Sequence, residues 1–299
     1  MKIGIKGINR VSATATVALT AGAVIAGSVF ASAAQAATLP VPTIAAKGGY
    51  VMNNGTASSL YSKAADTRRA TGSTTKIMTA KVVLAQTNLN LDSKVTIQKA
   101  YSDYIVAKGA SSARLIVGDK VTVRQLLYGL MLPSGCDAAY ALADKFGTGT
   151  TRAARVTSFI GKMNASAKSL GLTNTHFDSF DGISNGSNYS TPRDLTKIAS
   201  SAMKNSTFRA VVKTKSTTQK VTTSSGGYRY MSWTNTNKLL GSYTGAIGVK
   251  TGSGQLAGYC LVFAATRDGK TVIGTVLAST SETARTADAT KLMNYGFSK

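Results

Sequence analysis

A strand cue stands near each end of this chain and helices fill the space between, which limits the available folds more than any other feature of the sequence. Near the start, "GGYVMNNGTASSLYSKAA" reads as two short strands around an Asn54-Gly55 turn. From about residue 246, "AIGVKTG", "GYCLVFAATRDG" and "KTVIGTVLAST" read as three strands with a hairpin turn at Asp268-Gly269, before a last helix near 283–296. Between them, apolar spacing predicts helices over 73–86, 122–132, 135–146, 151–169 and 192–204, with Pro192 in a first helical turn. The fold class expected is α/β in the α+β sense: one antiparallel sheet built from the two ends, flanked by terminal helices, with an all-helical part inserted. The sheet part covers about 37–85 and 230–299, and the helical part about 86–229.

At 299 residues and 43% hydrophobic, the chain can bury a sizeable core. Its charge is unusual: 35 Lys+Arg against 12 Asp+Glu give +23, and Glu282 is the one glutamate. The positive residues are scattered, with no arginine-rich tract and no nucleic-acid motif, so the surface reads as generally basic and no nucleic-acid partner is expected. Anionic membrane surfaces or wall polymers suit such a surface as peripheral partners.

Residues 1–36 read as a secretory signal peptide. Lys2, Lys6 and Arg10 open it, "ATVALTAGAVIAGSVFA" follows, and "AQAA" at 34–37 offers an A-x-A cleavage site after Ala36. Loss of those three side chains from +23 leaves +20 on the mature chain. The expected location is secreted and extracytoplasmic, at the cell wall or the outer membrane surface. Cys136 and Cys260 are the two cysteines. Two cysteines and one histidine are too few for a dedicated zinc site, so no metal or other cofactor is expected.

Three short segments carry the chemistry. The first is Ser73-Thr74-Thr75-Lys76, in which Ser73 and Lys76 at i and i+3 rise from one helical face. A capped surface helix would explain that pair equally well if it stood alone. The second is Ser134-Gly135-Cys136, at a break between two helices, and the third is Lys250-Thr251-Gly252, on a strand expected to pair with the first hairpin. A seryl hydroxyl attacks a carbonyl poorly until a base takes its proton. Lys76 can be that base if a helix start, burial and a second cation at Lys250 favour the neutral amine. Ser134 would then relay the proton between Lys76 and the leaving amine, the place histidine holds in a serine–histidine–aspartate triad.

In this order and context the segments resemble S-x-x-K, S-x-N and K-T-G, the signature of the serine D-Ala-D-Ala peptidases, the low-molecular-mass penicillin-binding proteins. "LLYGLMLPSGCDAAYALA", "YSTPRDLTKIA" and "NTNKLLGSYTGAIGVKTGSG" also resemble that family, so the likeness covers nearly the whole of 37–299. Within it the chain is similar to the short secreted streptomycete type, which shares cysteine at the third position of the second motif. The resemblance implies a β-lactamase-like transpeptidase fold and an acyl-enzyme on Ser73. It places Ser73 and Ser253 at an oxyanion hole through their backbone N–H groups, and it assigns Lys250 and Thr251, with Gly252, to the terminal carboxylate of the substrate. The partners implied are a peptidoglycan stem peptide ending in D-Ala-D-Ala, an amine acceptor or water, and β-lactam inhibitors, acting on a monomer. Neither the C-terminal β-rich domain nor the anchor helix of longer members is expected here.

Cys136 departs from the usual asparagine; a thiol is a weaker hydrogen-bond partner than an amide, so a slow enzyme is expected. A disulfide between Cys136 and Cys260 would clog the site, and free thiols are the expectation. Two rivals stay open. One is a β-lactamase lacking the class A glutamate, since no Glu lies between Ser134 and Lys250. The other is a catalytically weak cell-wall-binding protein. A histidine-dependent hydrolase is disfavoured, because His176 is the one histidine. His176 reads as a loop or core residue, and Asp178 and Asp181 as turn caps.

Overall fold

The computed structural model describes residues 39–184 and 186–299, and the leader expected over 1–36 lies outside them. The hairpin at Asn54-Gly55 joins β1 (Gly48–Asn53) to β2 (Ser59–Lys63), with the Asn53 side chain accepting the Gly55 N–H at 2.9 Å. The serine–lysine segment is a 3₁₀ turn, Gly72–Thr75, running into α1 (Lys76–Leu84). A continuous α-helix was the expectation; the tighter turn eclipses positions three apart and brings Ser73 and Lys76 closer still.

Next come β3 (Lys94–Thr96), α2 (Lys99–Lys108), β4 (Lys120–Thr122), α3 (Val123–Met131), α4 (Cys136–Phe146), α5 (Arg152–Ser169), α6 (Pro192–Ala202) and α7 (Ser206–Val212). The chain then forms β5 (Ser216–Thr222), β6 (Tyr228–Thr234), the short α8 (Leu239–Ser242), β7 (Ala246–Gly254), β8 (Gly258–Arg267), β9 (Lys270–Ser279) and α9 (Glu282–Phe297).

The inserted part is not all-helical. It shares a second, antiparallel sheet in the order β3-β4-β5-β6. β3 and β4 are three residues each, too short for a period, and β5 alternates one polar type with another, so no apolar alternation announces it.

The main sheet runs β2-β1-β9-β8-β7, all antiparallel, with Gly48 opposite Leu277 and Lys250 opposite Val262. The strand bearing Lys250 therefore does not pair with the first hairpin, as expected, but lies at the far edge. Two tight hairpins force β7, β8 and β9 into neighbouring positions, and β9 is the strand left beside β1. Strand alternation splits the core in two. Val51, Phe263 and Val276 pack with Leu292 and Met293 of α9, while Met52, Val262 and Ile273 face α1, α3 and α6. α1 is apolar almost all round, with seven of nine residues buried, so it lies at the centre and takes Lys76 inside with it.

Candidate active site

Ser73 is the one residue of 71–80 that is not buried. Its turn is pinned by hydroxyls: Thr71 and Thr75 share a hydrogen bond of 2.7 Å, and the Asn188 amide donates to both, at 2.7 and 3.0 Å. Gly72, at φ 50°, allows the bend, and a Cβ there would lie 3.1 Å from the Ser253 amide nitrogen. Gly252 answers from β7: a Cβ on it would meet Thr71 O at 2.8 Å and the Ser73 amide nitrogen at 3.1 Å. Two glycines thus let the edge strand press against the serine turn, bringing the Ser73 and Ser253 amides together.

Lys76 is fully buried, and its Nζ donates to Ser73 Oγ at 2.8 Å, Asp181 O at 3.1 Å and Cys136 Sγ at 3.3 Å. Asp181 is itself held, its carboxylate accepting the Tyr104 hydroxyl at 2.9 Å and the Ile183 N–H at 2.9 Å. Asp178 accepts the Ser184 hydroxyl, so both aspartates brace the loop. His176 is exposed and joined to Tyr189 through the backbone.

The expected bridge from Ser134 to Lys76 is not formed. Ser134 sits at φ 65°, a conformation that costs a non-glycine residue about 1–3 kcal/mol, and its buried Oγ has no partner among the described residues. Cys136 occupies the lysine's third position instead. Burial pushes the Cys136 thiol up, against the lowering effect of Lys76, so it stays protonated at neutral pH. Cys136 and Cys260 are both free.

A cleft of about 1150 Å³ opens at this point. Ser73, Ser134, Cys136, Thr251, Gly252 and Ser253 line it, whereas Lys76 and Lys250 lie buried behind the wall. Thr251, not Lys250, faces the cleft, its hydroxyl 2.6 Å from that of Thr236. Lys250 Nζ donates to Thr251 Oγ1 at 3.4 Å, and its pKa is driven well below the ordinary lysine value by burial first, then by Lys76.

Sequence reasoning missed Arg285, on the first turn of α9. It lines the cleft, donates to Gly252 O at 3.4 Å and pairs with Glu282 at 3.0 Å. The pair at i and i+3 is legible in "SETARTA", but nothing local says that α9 starts beside β7. Among the described residues no three His, Cys, Asp or Glu side chains converge as metal ligands. The arrangement can therefore deprotonate a serine, hold an oxyanion on two amides and receive an anionic ligand end.

Comparison with known proteins agrees with this geometry. The family model described as D-alanyl-D-alanine carboxypeptidase matches residues 33–281. The D-alanyl-D-alanine carboxypeptidase of Streptomyces sp. (strain K15) is 74% identical over 286 residues, covering 95% of this chain and 98% of that protein. DacC of Escherichia coli (strain K12), also a D-alanyl-D-alanine carboxypeptidase, is 34% identical over 277 residues, 90% of this chain and 66% of that protein. The crystal structure of the Streptomyces K15 DD-transpeptidase superposes with a TM-score of 0.87 at 79% identity, over 87% of this chain and all (100%) of that one. DacD from Francisella tularensis superposes at 0.76 with 30% identity, over 87% of this chain and 72% of that one. The chain belongs to the D-alanyl-D-alanine carboxypeptidase family.

Proposed function

We propose that this chain is a penicillin-binding serine D-Ala-D-Ala transpeptidase and carboxypeptidase that acts on peptidoglycan stem peptides through an acyl-enzyme on Ser73. The observation that carries the reading is the 2.8 Å contact between Ser73 Oγ, at the wall of the cleft, and the buried Lys76 Nζ. Lys76, as the free amine, takes the hydroxyl proton while Ser73 Oγ attacks the penultimate D-Ala carbonyl. The Ser73 and Ser253 amides hold the oxyanion. Collapse breaks the C–N bond, and the leaving D-Ala amine takes its proton through Ser134, whose unpartnered hydroxyl is available for it. An amine or water then attacks the ester, giving cross-linked or trimmed peptide.

The acceptor amine, secretion behind the 1–36 leader and action as a monomer belong to this proposal, as does peripheral contact of the basic surface with anionic envelope material. The leader pattern supports secretion, and the +20 mature charge supports the peripheral contact.

The test is intact-mass measurement after addition of benzylpenicillin, followed by tryptic mapping. One long-lived penicilloyl group on the peptide 70–76 is expected. An adduct that turns over within minutes would make the chain a β-lactamase, and an adduct on the peptide 125–145 would move the nucleophile from Ser73 to Ser134 or Cys136.

Lys250 yields a second expectation. A ligand carboxylate beside it raises the pKa that burial and Lys76 hold down. Between the free and bound positions, binding must therefore take up a proton, and affinity must fall as pH rises through the bound position. Calorimetry of acetyl-D-Ala-D-Ala on the Ser73→Ala protein, in two buffers of different ionisation enthalpy, reads that uptake; its absence would remove Lys250 from carboxylate recognition.

A further inference from the structure

A second hollow, of about 390 Å³, shares no lining residue with the catalytic cleft. β3 contributes Lys94 to its wall, the end of α4 contributes Asp144 and Lys145, and the first turn of α5 contributes Arg152 and Arg155. Asp144 is the one acid in the lining, and its oxygens are taken. Oδ1 accepts Arg155 Nε at 2.6 Å, and Oδ2 accepts Arg152 Nε at 3.1 Å and the Tyr101 hydroxyl at 2.7 Å.

That grip has a chemical consequence. Asp144 is buried and holds both guanidinium groups by their Nε atoms, which fixes the two side chains and leaves their terminal nitrogens unspent. Among the described residues, those of Arg152 have no acceptor, and Arg155 has only Thr150 O, at 3.3 Å from Nη1. The first turn of α5 holds no acid, so the helix's positive end adds to the two arginines. With Lys94 and Lys145, the hollow has an excess of three positive charges.

The excess continues onto the second sheet. Val95, Val121 and Val221 point inward and are buried, so Lys94, Lys120 and Lys220 point outward with Thr96, Thr122 and Thr222. The register makes them neighbours: Lys94 lies opposite Thr122, Lys120 opposite Thr222, and Lys94 Nζ reaches Thr222 Oγ1 at 3.1 Å. β3, β4, β5 and β6 contain no Asp or Glu.

We infer that the hollow and this lysine stripe form a binding site for a phosphodiester polymer, with one phosphate between Arg152 and Arg155 and its successors along Lys94, Lys120 and Lys220. The two charged oxygens of a phosphodiester diverge from a tetrahedral phosphorus, which suits guanidinium and ammonium groups that line one hollow from different elements, and the charge repeats along the polymer. The stripe leads away across adjacent strands, so it suits a chain of anions better than one ion. The location of the enzyme outside the cytoplasm, proposed above, matters only to which polymer it would meet.

The experiment is titration of the purified full chain with synthetic oligo(glycerol phosphate), with inorganic phosphate and poly-glutamate of matched charge alongside. Binding of the phosphodiester oligomer that weakens with salt is expected, with poly-glutamate and free phosphate much weaker. Lys94→Gln with Lys145→Gln should weaken it about tenfold, whereas Lys270→Gln with Lys291→Gln, on β9 and α9, should not. Both double variants keep Asp144 and its arginines, and their unchanged rate of penicillin acylation will show that they are folded and that the catalytic reading stands separately. Equal losses in the two variants would assign the binding to net charge and overturn the site. Equal affinity for poly-glutamate, or no binding of the phosphodiester oligomer, would overturn the ligand class.

Discussion

Lys76→Met is expected to leave the protein folded while slowing acylation by benzylpenicillin by about 10²–10⁴-fold, the range over which a positioned base contributes. The side chain is fully buried, so the outcome depends on what its removal leaves behind. Methionine fills a similar volume without the amine. Asp181 O loses a donor, which costs about 1–3 kcal/mol. Against that, a polar amine no longer has to be buried, and the neighbour that helps to hold the Lys250 pKa down is gone. The two effects are of similar size, so the melting temperature should move by only a few degrees. Lys76→Arg should be equally slow, because a guanidinium stays charged and cannot take the serine proton. Stopped-flow acylation and thermal denaturation measure both halves. A variant that melts normally and still acylates at the native rate would remove Lys76 from the role of base.

Asp137→Ala is expected to destabilise the protein by about 3–5 kcal/mol, a large share of the 5–15 kcal/mol that a native domain has. Asp137 is buried in the first turn of α4 and serves as a hub. Oδ1 accepts the N–H groups of Ala113 at 2.8 Å and Ala138 at 2.9 Å. Oδ2 accepts the Ser112 hydroxyl at 2.7 Å and the Leu115 N–H at 3.1 Å. Alanine would strand three backbone donors, each worth about 1–3 kcal/mol when left unpaired. The same loop carries Ser111, whose carbonyl accepts the Cys136 N–H at 2.8 Å, so acylation should slow as well. Asp137→Asn keeps one acceptor oxygen and should fall between the two. Denaturant unfolding followed by tryptophan fluorescence reads the series directly, since Trp233 Nε1 donates to Ala113 O in that loop at 2.8 Å. A loss below 1 kcal/mol in the alanine variant would show that the loop finds other partners.

What could be read from the chain, and what could not, divides along physical lines. Period and turn chemistry are local, so the hairpins at Asn54-Gly55 and Asp268-Gly269 and the helices over 123–131, 136–146 and 152–169 were all legible. The serine–lysine spacing was legible too, because three positions apart means one face in either helical form. Sheet order was not: β7 lies at the edge only because β9 finds β1, and neither sequence says so alone. The second sheet was hidden by strands of three residues and by polar alternation. Ser134's left-handed backbone was unreadable for a different reason, since no local residue preference calls for it in the short break between α3 and α4. Arg285, Tyr104 and Asn188 reach the site across long separations, and a single sequence carries no record of such meetings.

The pairing of Gly48 with Leu277 also sets an order of events during synthesis. β1 emerges early and pairs with β2 on one side, but its other edge has no partner until β9 has been made, and non-local pairings of this kind form late and slowly. The serine turn is in the same position, since Gly252 must arrive from β7 before the Ser73 and Ser253 amides stand together. On the proposed mechanism, an unfinished chain that already carries Ser73, Lys76, Ser134 and Cys136 still lacks the second oxyanion amide. Activity would then await docking of the last third of the polypeptide, and the topology itself would keep the nascent protein idle.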